Sequence, residues 1–251
     1  MRLLLTNDDG YHAQGLQSLA KALSAAGHTV WIVAPLANQS GKSCSLTLDR
    51  PLAVKSLSDT HFTVDGTPAD CIHIALTGLA SVSEFDAVIS GINDGANLGD
   101  DAIHSGTLGA ATQAHLYGLP ALASSLVDRG WEHLDTAVAC TIEAMYRMMQ
   151  EPQAVLWNLN VPNVAQQAPA SPRITLAPIG RRTPSHPVQA MLSPKGDSYY
   201  WLGAGGDTIP EAGNDMAVVL AGHASLTPIT LDRSDHAALQ RLSDQFAKTP
   251  C

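Results

Sequence analysis

The chain has 251 residues, 45% of them hydrophobic, and a formal net charge of −9 with only 14 Lys and Arg. That length and apolar share suit one sizeable α/β domain with a full core, and they argue against disorder. The acidic balance, with no basic run interleaved with aromatics, speaks against a nucleic-acid duplex or an anionic membrane as partner.

Arg2 to Leu5 reads as a buried strand that opens onto Thr6-Asn7-Asp8-Asp9-Gly10. In open α/β sheets, ligands collect at the carboxyl edge of the strands. Adjacent carboxylates repel each other and lose hydration when packed, and a divalent cation makes such a pair worthwhile. An Asx turn, with Gly10 at positive φ, accounts for the same five residues, and downstream segments weigh between the two. Gln14 to Ala26 reads as a helix with Leu16, Leu19, Ala20 and Leu23 on one face and Gly27 as its C-terminal glycine. His28 to Ala34 is the next strand.

Gln39-Ser40-Gly41-Lys42-Ser43 resembles the end of a phosphate-binding P-loop, but the first glycine position holds Leu36 and no helix pattern follows. A loop offering hydroxyl oxygens and one cation remains. Thr67-Pro68-Ala69-Asp70 starts a helix, with Thr as N-cap and Pro at the first helical position. Asp86 to Ile89 is a short buried strand leading into Ser90–Gly109, a loop with five glycines whose amides can approach an anion closely. Ser105-Gly106-Thr107 then opens an Ala-rich helix, and free N–H groups there form a phosphate site. A simple N-cap is the rival reading; the company of Asn93, Asn97 and the Asp pair favours the anion.

Pro120 to Leu126 and Ala154 to Val161 complete the strands. Strands separated by helices imply right-handed crossovers and a mostly parallel, Rossmann-like sheet with helices on both faces. Beyond Pro162 the segment Tyr199-Tyr200-Trp201-Leu202 suggests C-terminal β-hairpin arms without helical partners, and a last amphipathic helix runs from about Asp235 to Ala247. The reading is one domain over residues 1–251, with the core to about 160 and the arms and final helix from about 161.

Several chemistries are excluded. Only Gly10 and Gly15 follow the first strand, so the dinucleotide fingerprint fails. There is no H-E-x-x-H zinc pair and no G-x-S-x-G elbow, and the carboxylates are adjacent where a D-x-D phosphatase would separate them. Cys44, Cys71, Cys140 and Cys251 form no C-x-x-C pair and read as reduced thiols. With no signal-peptide core and no membrane-length apolar run, the chain is expected to be cytoplasmic.

TNDDG at 6–10, SGKS at 40–43, GTPADC at 66–71 and SGIN, GANLGDD and HSGT across 90–107 resemble the SurE (survival protein E) family of metal-dependent 5′-nucleotidases. PKGDSYYWLG at 194–203, GND at 213–215 and SLTP at 225–228 continue the resemblance over nearly the whole chain. It implies a divalent-metal site of Asp8, Asp9, Ser40 and Asn93, one ion per subunit, and substrate phosphate near Asn97, Ser105, Gly106 and Thr107. Oxygen donors without sulfur or imidazole suit Mg²⁺ or Mn²⁺ better than zinc. Asp8 and Asp9 are then catalytic, taking a proton from the attacking water. The implied substrate is a nucleoside monophosphate, with 5′- and possibly 3′-nucleotidase activity, and the implied assembly is a homodimer or homotetramer. Asp232 and His236 match a D-x-x-x-H pattern, read as a structural contact. Gln113-Ala114 and His104 depart from the family's usual residues and bear on the pocket wall. The rivals are a broad phosphate-ester hydrolase or exopolyphosphatase, and a non-catalytic nucleotide-binding sensor.

Overall fold

The computed structural model describes residues 1–165, 172–203 and 205–246; Ala247 and Cys251 lie outside them. Strands β1 (Arg2–Thr6), β2 (Thr29–Pro35), β3 (Val54–Ser56), β4 (His61–Val64), β5 (Ala87–Asp94), β6 (Ala121–Leu126), β7 (Leu156–Val161) and β8 (Ile174–Leu176) build the main sheet. The arms carry β9 (Arg181–Arg182), β10 (Gln189–Leu192), β11 (Ser198–Trp201) and β12 (Thr208–Ile209), after which β13 (Ala224–Ile229) rejoins that sheet. The sheet has nine strands in the order β3-β4-β2-β1-β5-β6-β7-β13-β8. Its ladders are parallel except at β3–β4 and β7–β13. This is the Rossmann-like arrangement that the strand–helix alternation implies.

Helices cover both faces. α1 (Gln14–Ala25) and α4 (Leu134–Met148) pack on one side, α2 (Pro68–Ile74) and α3 (Gly106–Leu116) on the other. The strand period of two explains the division: Leu3 and Leu5 join the α1/α4 core, while Leu4 between them joins the α2/α3 core. The end of α1 is a Schellman turn, with His28 N–H bonding Leu23 C=O and Gly27 at φ 84°. At the start of α2, Thr67 Oγ1 accepts from Asp70 N–H and Asp70 Oδ2 accepts from Thr67 N–H, a complete capping box. The helix widens into a π-turn over Ala75–Leu79.

Three features differ from the reading of the sequence. β5 continues past Ile89 to Asp94, because a register shift between Ser90 and Asn93 bends the strand without ending it. Gly91 permits the bend: at φ 133°, a Cβ there would fall 2.3 Å from Ser124 C=O. Residues 127–153, to which no element was assigned, hold α4. The segment beyond Pro162 is not made of arms alone, since α5 (Asp215–Leu220) packs beside β13, a strand of the main sheet. The hairpin arms themselves are present as the antiparallel pairs β10–β11 and β9–β12. The final helix, α6, spans His236–Phe246.

Candidate active site

β1 and β5 are parallel neighbours, so their carboxyl ends open side by side. That edge faces a cleft of about 890 Å³ lined by Asp8, Ser40, Asn93, Asn97 and Ser105. Residues nearly a hundred positions apart therefore converge on one concavity, as the resemblance implies. Asp9, Gly106 and Thr107 are outside that lining but adjoin residues in it, Asp94 for Asp9 and Asp8 for the other two. Thr107 Oγ1 donates to Asp8 Oδ1 at 2.6 Å, and a Cβ on Gly106 would lie 2.9 Å from Asp8 Oδ2. Glycine is needed at 106 for the helix end to approach that carboxylate.

The two carboxylates differ in setting. Burial pushes Asp8 up to about 6, with the Thr107 hydroxyl opposing and the neighbouring Asp9 adding to the rise. Asp9 is also raised, first by burial; the Asp94 N–H at 3.1 Å pulls it back and the Asp94 carboxylate pushes it up. The Asx turn is real as well: Asn7 Nδ2 donates to Gly10 C=O and Asn7 Oδ1 accepts from Gly10 N–H. The turn and the cation reading are therefore compatible, since the turn uses Asn7 and leaves Asp8 and Asp9 to the site.

These residues fit a hard divalent ion. Two desolvated carboxylates need positive charge, and a hydroxyl (Ser40) and an amide (Asn93) are the oxygen donors beside them. Among the described residues no three His, Cys, Asp or Glu side chains gather into a metal cluster.

α3 points its N-terminus at the cleft. Ser105 Oγ accepts from Leu108 N–H at 3.0 Å, so Ser105 is an N-cap and a cleft residue at once. The amides of Gly106 and Thr107 lie in the first turn, where no helical carbonyl precedes them. Arg129 and Arg182 also line the cleft, and Arg182 is paired with Asp101 of the same lining at 2.7 Å. His104, one of the departures from the family pattern, is on the same wall. Gln113, the other, is buried beside Cys44.

Several contributors escaped the sequence reading. Asp94 bridges Asp9 to the Gly130 N–H. Asp215 accepts from Gly99 N–H and Gly180 N–H, both at 2.8 Å, tying two loops of the cleft together. Asn158, Asn160 and Ser125 bond Asn97. The available signal was polar residues at buried strand positions, as in Trp157-Asn158-Leu159-Asn160. Asp232 and His236 pair with each other at the start of α6 and do not line the cleft. Lys42 is exposed and also outside it.

The family model for survival protein SurE matches residues 3–185. The chain belongs to the SurE family. A relative from Laribacter hongkongensis, 5′-nucleotidase SurE, is 45% identical over 246 residues, covering 96% of this chain and 98% of that protein. The crystal structure of the SurE protein from Aquifex aeolicus superposes with a TM-score of 0.84 at 31% identity, covering 98% of this chain and all of that one. The SurE fold thus extends through the arms and β13, well beyond the residues that the family model matches.

Proposed function

We propose that this protein is a divalent-metal-dependent phosphomonoesterase that hydrolyses nucleoside monophosphates, a 5′-nucleotidase. The carrying observation is the make-up of the cleft. Its lining combines oxygen donors (Asp8, Ser40, Asn93 and the α3 N-cap Ser105) with apolar side chains: Leu98, Met216 and Val219, a small cluster with Val127 packed against it, and Val164 and Leu220. An anionic phosphate joined to a nucleoside calls for the same combination. The 45% identical relative named as a 5′-nucleotidase supports the reading.

Asp8, Asp9, Ser40 and Asn93 would hold the ion, with Mg²⁺ or Mn²⁺ favoured by the donor chemistry. When bound, it supplies Lewis acidity toward the phosphoryl group and water. Asp8 and Asp9 are the groups able to take a proton from attacking water. The Gly106 and Thr107 amides, together with Asn97 and Ser105, hold the phosphoryl oxygens as charge develops on them. Phosphate release from a panel of nucleoside monophosphates, with Mn²⁺ and after EDTA, tests this. Release that requires the metal is expected. Nucleotide binding without hydrolysis would favour a sensor, and equal activity on polyphosphate would favour a broad phosphatase.

The assembly is proposed to be a homodimer or homotetramer in the cytoplasm. No described helix is long and apolar enough to cross a membrane. The β10–β11 arm carries Met191, Leu192, Tyr199, Tyr200 and Trp201, all exposed, Trp201 by 67%. Contiguous apolar exposure of this kind marks association surfaces. Light scattering at micromolar concentration should report at least a dimer; a monomer would refute the assembly.

A further inference from the structure

Strand β7 lies inside the main sheet, between β6 and β13, and all six of its residues are buried. A strand buried on both faces reads as a continuous apolar run when packing alone decides. β7 instead carries Asn158 and Asn160, two apart and so on one face, at 0% and 1% exposure. Burying an amide without partners is destabilising. Asn158 Oδ1 has no partner among the described residues.

The bonds that the pair does make converge on one residue of the cleft. Asn158 Nδ2 and Asn160 Nδ2 both donate to Asn97 C=O, at 2.9 and 3.1 Å, and Asn160 Oδ1 accepts from Asn97 N–H at 2.8 Å. From β6, Ser125 Oγ accepts from Asn97 Nδ2 at 2.7 Å. The loop itself turns on Gly95 and Gly99, at φ 132° and 55°. Its central residue is thus fastened to two rigid strands by backbone and side chain together.

We propose that Asn158, Asn160 and Ser125 are positioning residues that aim the Asn97 amide at a substrate phosphoryl oxygen. The inference rests on the reading of Asn97 as a phosphate contact. Ser125 takes one of the two N–H bonds of the Asn97 amide, which fixes its plane and leaves the other for the ligand. Holding a binding group on strands, with its rotamer locked from behind, spares the ordering cost that a free loop would incur on binding. Leu at 158 or 160 would fill similar volume and suit the strand, so packing alone does not explain the asparagines.

The test uses the Mn²⁺-loaded full-length protein and four variants: Asn158→Leu, Asn160→Leu, Ser125→Ala and Asn97→Ala. Calorimetry reads the affinities for inorganic phosphate and for Mn²⁺, and kinetics read KM and kcat on a nucleoside monophosphate. Losing one hydrogen bond from the fastening should weaken phosphate about threefold in Ser125→Ala, and losing two about tenfold in Asn160→Leu. KM should rise in step, with kcat and Mn²⁺ affinity within about twofold. Unchanged phosphate affinity in folded Ser125→Ala and Asn160→Leu would overturn the proposal, as would parallel loss of phosphate affinity, Mn²⁺ affinity and Tm in every variant. If Asn97→Ala itself leaves phosphate affinity unchanged, the fault lies in the assignment of Asn97. Weakening in Asn97→Ala alone would leave that assignment standing and remove only the positioning role.

Discussion

Asp8 is only 4% exposed, and its carboxyl is pushed up to about 6 by burial, against an ordinary value of 3.8. A folded-state value above the unfolded one means that the folded protein binds the extra proton between those two limits. The associated stability is intact below about 3.8 and is lost as pH rises through about 6. At pH 7 without metal, the buried ionised carboxylate therefore strains the fold. Asp8→Asn keeps an acceptor for the Thr107 hydroxyl and removes the charge. It should abolish phosphate release yet melt higher than metal-free wild type at pH 7, by up to roughly 3 kcal/mol. Below pH 4 the two should converge. Calorimetric melts in EDTA across this range check it, and a wild type that is more stable at pH 7 would contradict the desolvated carboxylate. The Asp pair was legible as a candidate site because two adjacent charges after an apolar strand need an outside partner. Nothing in the local sequence distinguished Asp8 from Asp9; which one is buried depends on α3 arriving from a hundred residues away.

At the level of elements, the N-terminus of α3 bears on two readings that the sequence presented as rivals. Ser105 caps the helix through Oγ and also lines the cleft, so the N-cap is compatible with the proposed anion site. Ser105→Ala should cost about 1 kcal/mol of stability, a Tm drop of roughly 2–4 °C in a chain of this size. It should also raise KM while leaving Mn²⁺ affinity unchanged. Thermal melts and kinetics read the two consequences separately, and a fall in Tm with unaltered KM would reduce Ser105 to a cap. Helix starts such as Thr67-Pro68-Ala69-Asp70 were readable because capping is a contact between residues three apart. The end of β5 was misjudged at Ile89 because its continuation depends on β6, whose Ser124 carbonyl leaves room only for Gly91.

For the whole molecule, the cleft is completed by α5, which the ladder between β7 and β13 brings back to the strand edge. Leu220, at the end of α5 and 71% exposed, lines the cleft among other apolar side chains. Leu220→Gln should raise KM for a nucleoside monophosphate about fivefold and leave KM for ribose 5-phosphate, which lacks a base, unchanged. An equal change for both substrates would mean that the apolar wall does not meet the base. The sequence by itself determined the strand–helix alternation, the carboxylate pair and the helix start at Ser105. These follow from residue type and short spacing, which act within a few positions along the chain. Only the tertiary structure decided that β13 returns antiparallel to β7, that Asn158 and Asn160 spend their amides on Asn97, and that α5 closes the cleft. Those outcomes depend on which buried polar groups find partners across more than fifty residues of chain, and that is settled by packing in three dimensions.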